Sequence, residues 1–293
     1  MTITAGTFSS VGARFLAQCA SSPQGEAFRV PSEDGRWDSV AWFDVARRSR
    51  HLAAGLLALG VAIEDRVAIV SSTRLEWVLA DLAIALAGAA TTMVYPSTHA
   101  KDVGYILSDC SAEVVFVENA EQLAKVQTAE GLIGAARRFV LFDGHSDDEA
   151  VLSLTQLAEL GRTLLSAYPD AIVYTLAELT PDNLATIMYA TGTTGHPKGI
   201  ELTHGNWLDL GATMASEDLI LQEDPQFLRL PPSHVLGKLL LVAQYEVGFV
   251  TAIEAYGNPC IPGLDTSCAE EKLSSVSVET QSLEAAATPP ASC

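Results

Sequence analysis

The chain has 293 residues, 48% of them hydrophobic, and carries a formal net charge of −19. This length and composition predict a globular protein with a substantial core and room for two domains. The acidic balance argues against nucleic-acid binding, which needs a basic face, and disfavours plain electrostatic adhesion to anionic membranes.

The spacing of the cysteines and the length of the apolar stretches indicate in which cellular compartment the protein is located. The five cysteines are scattered, without the close pairs of a zinc or redox motif, which favours a reducing environment. The start of the chain lacks a basic segment followed by a long apolar run, so no signal peptide is predicted. Residues 77–90 form the longest apolar stretch, but Asp81 interrupts it and it is too short to span a bilayer. We therefore expect a cytoplasmic protein, with peripheral contact to the inner face of a membrane left open.

In the first half of the chain, short apolar strands alternate with helical patterns. Helices are predicted over residues 8–18 (at the surface), 41–59, 75–87, about 98–108 (capped by Ser97 or Thr98) and 121–133. Strands are predicted over 37–40, 66–71, 91–95, 114–117 and 139–142. Such alternation predicts an α/β fold, in which a mostly parallel sheet is flanked by helices.

The second half begins with an acidic stretch from Gly144 to Pro181, which predicts an exposed connector with one helix near residues 152–165. Beyond it, strands are predicted over 183–189, 200–202 and 227–230, and helices over 204–216 and 239–249. Thr203 is well suited to cap the first of these helices.

Residues 189–199 read Tyr-Ala-Thr-Gly-Thr-Thr-Gly-His-Pro-Lys-Gly. Glycines allow close approach to a ligand, threonines supply hydroxyl donors and Lys198 adds a positive charge, a combination that describes a cradle for phosphate oxygens. The stretch is not a Walker A motif, because Gly199 follows the lysine where Ser or Thr is required. A simple hairpin turn remains the alternative on composition alone.

This stretch closely resembles the phosphate-binding motif of the adenylate-forming enzymes, which include acyl-CoA synthetases, and departs from it only at Ala190. The following Thr-His-Gly-Asn at 203–206 also matches. Residues 65–69, 74–77, 88–98 and 105–109 look like segments of long-chain fatty acyl-CoA synthetases. The resemblance implies the N-terminal part of an AMP-binding domain, with mostly parallel sheets flanked by helices.

The resemblance also implies an activity. Such enzymes join a long-chain fatty acid to ATP, releasing pyrophosphate and forming an acyl-adenylate, from which the CoA thiol then displaces AMP. ATP, Mg²⁺ and CoA are the implied cofactors. The residues implied to hold the ATP phosphates are Thr191, Gly192, Thr193, Thr194, Gly195 and Lys198, and Thr191 is also the implied Mg²⁺ ligand.

The stretch Leu-Pro-Pro-Ser-His-Val-Leu-Gly at 230–237 is similar to a family segment whose histidine borders the acyl site. The resemblance therefore implies that His234, Val235 and Gly237 line this site, with an apolar tunnel for the fatty chain. On the sequence alone, a lone histidine in an apolar setting is more often a buried structural residue, and that is the alternative for His234.

The resemblance fades near Gly257. Residues 258–293 are rich in Ser, Ala, Thr and Pro and predict a disordered tail, which leaves 1–257 as a truncated AMP-binding domain. The family motifs for adenine, ribose and the catalytic C-terminal lysine are not found, so no complete catalytic set is predicted. Two hypotheses stay open: an incomplete long-chain fatty acid–CoA ligase, or an inactive remnant that binds nucleotide or acyl groups without turnover. ATP–pyrophosphate exchange distinguishes them.

Overall fold

A computed structural model of the chain describes residues 8–32, 34, 36–129, 138–190, 196–217 and 220–253. By its contacts the chain divides into Met1–Tyr256 and Gly257–Cys293, and every described residue belongs to the first unit. The predicted disordered tail, residues 258–293, lies outside the described residues, and the boundary between the two predicted domains stays a prediction.

Helices and strands alternate along most of the described chain. The helices are α1 Val11–Ser21, α2 Trp42–Ala58, α3 Leu75–Leu86, α4 Ala100–Asp109, α5 Ala120–Thr128, α6 Leu154–Ala167, α7 Ala171–Glu178, α8 His204–Ser216 and α9 Val235–Val247. The strands are β1 Glu26–Pro31, β2 Trp37–Ala41, β3 Arg66–Val70, β4 Ala90–Val94, β5 Val114–Val117, β6 Arg138–Leu141, β7 Val151–Ser153, β8 Leu184–Ala190, β9 Lys198–Thr203, β10 Gln226–Leu228 and β11 Thr251–Ile253.

Seven strands form the larger sheet, in the order β7-β6-β5-β3-β4-β8-β9. All its pairs are parallel except β8 with β9, which run antiparallel as a hairpin at the edge. A second sheet has the order β10-β11-β1-β2, in which only β1 and β2 are antiparallel. The predicted α/β fold with mostly parallel sheets flanked by helices is confirmed.

Helix α3 lies at the centre of the main core. Every residue from Trp77 to Leu86 is buried, as the continuous apolar run predicts for a helix covered on all sides. Gly88 follows the helix with φ +75°, a left-handed conformation that glycine adopts without strain. No helix among the described residues is long and apolar enough to cross a membrane.

The acidic stretch before the hairpin is more ordered than its composition indicates. The predicted helix near residues 152–165 is present as α6, but the stretch between Gly144 and Pro181 also contains β7 and α7, which were not predicted. Helix α6 packs on α2 through Leu157 and Gly161, which are four residues apart and therefore share one helix face. Glu159, the acidic residue of α6, lies on the exposed side of the helix.

Gly161 is where α6 approaches α2 most closely, because a Cβ atom there would lie 1.8 Å from the His51 carbonyl oxygen. Replacing Gly161 with alanine is expected to lower the free energy of unfolding by about 1–3 kcal/mol, since a packed backbone must move apart. Urea unfolding measures the loss. The exposed Thr163→Ala on the same helix is the control and should change stability by under about 0.5 kcal/mol. Equal stabilities of the two variants would contradict this packing.

Other element predictions need smaller corrections. Helix α1 is not a surface helix, since Phe15 is fully buried. The N-cap of α4 is His99, without a side-chain bond, rather than Ser97 or Thr98. Strands β1 and β11 were not predicted, because neither has a strong alternating pattern. Helix α9 begins at Val235, four residues earlier than expected.

Candidate nucleotide and acyl site

The carboxyl ends of the parallel strands meet at one edge of the larger sheet. Strands β4 and β8 pair with Met93 opposite Met188, so that Tyr95 and Ala190 leave the sheet at the same level. Crevices outside the carboxyl ends of parallel strands are the usual ligand sites of such sheets. Strands β8 and β9 therefore meet their connection at the edge where such sheets usually bind ligands.

The β8–β9 hairpin carries the predicted phosphate-binding loop. The two strands pair up to Ala190 opposite Lys198, and Lys198 is exposed as the first residue of β9. The five other predicted phosphate-binding residues, including the predicted Mg²⁺ ligand, lie outside the described residues and stay a prediction: Thr191, Gly192, Thr193, Thr194 and Gly195. The hairpin connection predicted for this stretch is present, and its lysine is accessible to an anionic ligand.

His234 is the predicted acyl-site histidine, and its surroundings exclude the buried structural alternative. The side chain is exposed, and its Nδ1 accepts a hydrogen bond from the Leu236 backbone N–H at 3.3 Å, so that His234 caps the start of α9. A histidine bound in this way keeps its other ring nitrogen directed away from the helix cap. His234 is therefore placed to contact a ligand, although its acyl role stays a prediction.

The two other predicted acyl-site residues lie in the first turn of α9. Val235 is half-buried against the main core, and Gly237 is buried. A Cβ atom at Gly237 would lie 2.4 Å from the Pro231 carbonyl oxygen, so glycine allows the helix to rest directly on the preceding backbone. Gly237 thus shapes the segment before His234 by its lack of a side chain.

Tyr95 connects the sheet edge with this segment. Burial raises the pKa of Tyr95, and the neighbouring Ser233 hydroxyl opposes that rise, although the two groups are not aligned as a hydrogen bond. Because Tyr95 leaves the sheet level with Ala190, it lies between the phosphate-loop hairpin and the residue before His234. The predicted phosphate and acyl segments, about 40 residues apart, therefore approach the same edge.

Metal binding was predicted only through Thr191. In the parts of the chain that the structure describes, no group of three or more His, Cys, Asp or Glu side chains converges as a metal cage. Mg²⁺ in nucleotide sites is held mainly by substrate phosphates and water, with one or two protein ligands.

Two features of the site escaped the sequence analysis. The Lys238 ammonium forms an ion pair with the Asp81 carboxylate inside the core, one turn after His234. Helix α4 contacts both ends of the hairpin turn, through Tyr105 and Asp109. The four-residue spacing of Tyr105 and Asp109, which places them on one helix face, was the available signal for the second feature.

Comparisons with known proteins identify the family. A family model described as AMP-binding enzyme matches residues 15–253, most of the chain. The chain belongs to the AMP-binding enzyme family. It is 34% identical over 227 residues to the long-chain-fatty-acid–CoA ligase FadD15 of Mycobacterium tuberculosis, covering 75% of this chain and 37% of that protein. Fatty acyl-CoA synthetase B of Dictyostelium discoideum is 26% identical over 228 residues, covering 75% of this chain and 33% of that protein.

Solved structures show the same fold. A fatty acyl-CoA synthetase of Mycobacterium tuberculosis superposes with a TM-score of 0.68 at 22% identity, covering 90% of this chain and 47% of that one. A long-chain-fatty-acid–CoA ligase of Archaeoglobus fulgidus gives 0.71 at 20% identity, covering 88% and 49%. The AMP-binding chain therefore spans about a third of the length of these curated relatives and about half of these solved chains.

Proposed function

We propose that this AMP-binding chain belongs to an AMP-forming long-chain fatty acid–CoA ligase, in which the β8–β9 hairpin binds the ATP phosphates. The observation that carries the proposal is the exposed Lys198 at the end of a hairpin that leaves the carboxyl edge of the sheet. The names of the FadD15 and Dictyostelium relatives support a long-chain fatty acid as substrate. Fatty acids partition into bilayers, and peripheral membrane contact from the cytoplasmic side is part of the proposal.

The chemistry requires an anionic transition state to be stabilised. A carboxylate is a poor electrophile, and transfer of AMP to it provides the leaving group that the CoA thiol later displaces. Negative charge accumulates on the phosphate oxygens during the first step, so fixed donors and a cation are the required groups. In this proposal Lys198 neutralises phosphate charge, while the hydroxyls of Thr191, Thr193 and Thr194 donate hydrogen bonds to it.

Mg²⁺ supplies further charge neutralisation at the phosphates when it is bound. We assign the Thr191 hydroxyl as its protein ligand. The acyl chain is proposed to enter beside His234 and Val235, where Leu230 is 40% exposed and offers an apolar surface. Because Gly237 has no side chain, the first turn of α9 lies directly against the backbone of Leu230 and Pro231.

Binding of MgATP should depend on Lys198. Replacing Lys198 with alanine is expected to weaken binding by about 1–3 kcal/mol, because a charge-assisted hydrogen bond is lost. Isothermal titration calorimetry of the wild type and the variant measures the difference. Arg47→Ala removes an exposed cation from α2, far along the chain from the hairpin, and serves as the control. Equal affinities of the Lys198 variant and the wild type would contradict phosphate binding at the hairpin.

ATP–pyrophosphate exchange distinguishes the ligase from the alternative, a nucleotide- or acyl-binding module without turnover. Exchange that requires added palmitate supports the ligase. MgATP binding without exchange supports the binding module. Parallel assays with His234→Ala test the acyl site, since only the palmitate dependence should change.

A further inference from the structure

Helix α4 holds the hairpin at two points, one on each side of residues 191–195. The Tyr189 hydroxyl, near the end of β8, donates a hydrogen bond to Asp109 Oδ2 at 2.6 Å. The His196 ring, just before β9, stacks on the Tyr105 ring with centroids 4.7 Å apart and planes 20° apart. We call these four residues the α4 clamp: Tyr105, Asp109, Tyr189 and His196.

The helix that makes these contacts is itself fixed. Its inner face is buried through Val103, Ile106 and Leu107. At its carboxyl end the Arg66 Nε donates to the Cys110 carbonyl oxygen at 2.7 Å, and before its start Lys125 Nζ donates to the Thr98 carbonyl oxygen at 3.2 Å. Because both ends of α4 are tied to other elements, α4 can act as a rigid support for the hairpin.

The rest of the hairpin is poorly supported on this side. A cavity of about 290 Å³ lies between the hairpin and the end of α4, with Gly199 and Glu201 on one wall and Cys110 and Ser111 on the other. Residues Lys198 to Glu201 are exposed. Strand β4 supports β8 from the other side, and the two clamp contacts hold the turn end of the hairpin to α4.

The hairpin is shaped to leave room for the Tyr189 ring. Gly199 pairs directly opposite Tyr189, and a Cβ atom there would lie 3.2 Å from the ring. Burial raises the pKa of Tyr189, and the neighbouring Asp109 raises it further, so the phenol keeps its proton and remains a donor. The hydrogen bond to Asp109 is thus a charge-assisted one that persists through the neutral pH range.

We propose that the α4 clamp orders the β8–β9 hairpin before nucleotide arrives and thereby sets the position of Lys198. Tyr105, Asp109, Tyr189 and His196 are positioning residues, which act on the phosphates through the hairpin. A hairpin that is already ordered loses less conformational freedom on binding, which strengthens binding without a new contact to the ligand. This inference rests on the proposed nucleotide-binding function.

The test compares Tyr189→Phe and Asp109→Ala with two matched controls. Asp109→Asn keeps an acceptor for the phenol, and Tyr174→Phe removes a hydroxyl from a tyrosine that is 68% exposed on α7. Hydrogen–deuterium exchange of the backbone amides from 196 to 201 is measured without nucleotide, and MgATP affinity by calorimetry. Thermal unfolding confirms that each variant is folded.

Tyr189→Phe and Asp109→Ala are expected to speed exchange of the hairpin amides and to weaken MgATP binding about three- to tenfold. The double variant should be no weaker than either single one, because both remove the same bond. Tyr174→Phe should match the wild type, and Asp109→Asn, which keeps an acceptor but removes its charge, should lie between the wild type and Asp109→Ala. Unchanged exchange and affinity in Tyr189→Phe would overturn the clamp. If the wild type binds no MgATP, the proposed function fails, and the exchange comparison alone decides the clamp.

Discussion

Replacing Lys238 with methionine is expected to lower the free energy of unfolding by about 3–5 kcal/mol. The Lys238 and Asp81 side chains are only 4% and 2% exposed, and Thr91 donates a further hydrogen bond to Asp81 at 2.9 Å. Methionine keeps the length of the lysine but leaves the Asp81 carboxylate buried with one hydroxyl for a partner. Urea unfolding of the wild type and the variant measures the loss.

Two further variants make this result specific. Changing both residues, Asp81→Leu with Lys238→Met, should recover most of the lost stability, since no charge then remains buried. Arg47→Met breaks the exposed Arg47–Asp44 pair and should lower stability by no more than about 1 kcal/mol. A loss from Lys238→Met as small as that from Arg47→Met would show that the Lys238–Asp81 pair is solvated.

Acidification is expected to destabilise the protein by about 3 kcal/mol through His204 alone. His204 is fully buried at the start of α8, where its Nδ1 accepts a hydrogen bond from the Val11 backbone N–H at 3.4 Å. The pKa of His204 is lowered from 6.5 to about 4, first by burial and second by the Lys238 charge, while Glu64 opposes the shift. Below pH 6.5 the His204 imidazole binds a proton in the unfolded chain, but it stays neutral in the folded chain until the pH approaches 4.

The contribution of His204 is therefore complete above pH 6.5 and is lost as the pH falls from 6.5 to about 4. Replacing His204 with glutamine removes this titration but keeps an acceptor for the Val11 amide. Unfolding free energies measured across this range should fall less steeply for His204→Gln than for the wild type. The exposed His145→Gln should keep the wild-type slope, and parallel curves for all three proteins would contradict a neutral buried His204.

The alternation of strands and helices predicted the fold correctly wherever local pattern and burial agree. The apolar run of α3 and the Thr203 cap of α8 are both found at their predicted places, and Thr203 with Asn206 forms a complete capping box. The prediction missed α7 and the short strand β7 in the stretch that was expected to be a connector, because α7 turns only Ile172 and Leu176 towards the core. Composition over a long stretch is a weak guide when only a few residues face the core.

The site was predicted less completely than the fold. The hairpin and the histidine were found because they lie in contiguous motifs. The clamp and the Lys238–Asp81 pair join residues that are 80 and 157 positions apart, so their partnership depends on the tertiary fold. His234 and His204 show the same limit. His234 precedes α9 and is exposed, whereas His204 is the first residue of α8 and is buried, and the sequence pattern does not distinguish the two.

The second sheet has a consequence for how the chain folds as it is synthesised. Strand β1 pairs on its inner side with β11, where Phe28 lies opposite Thr251, although 223 positions separate them. The hairpin of β1 and β2 therefore leaves the ribosome long before its neighbour exists. Contacts of such sequence separation slow folding, because a long loop must close first. The β1 edge around Phe28 accordingly has no partner until Thr251 has been synthesised, and an unpaired strand edge of this kind exposes a folding intermediate to aggregation.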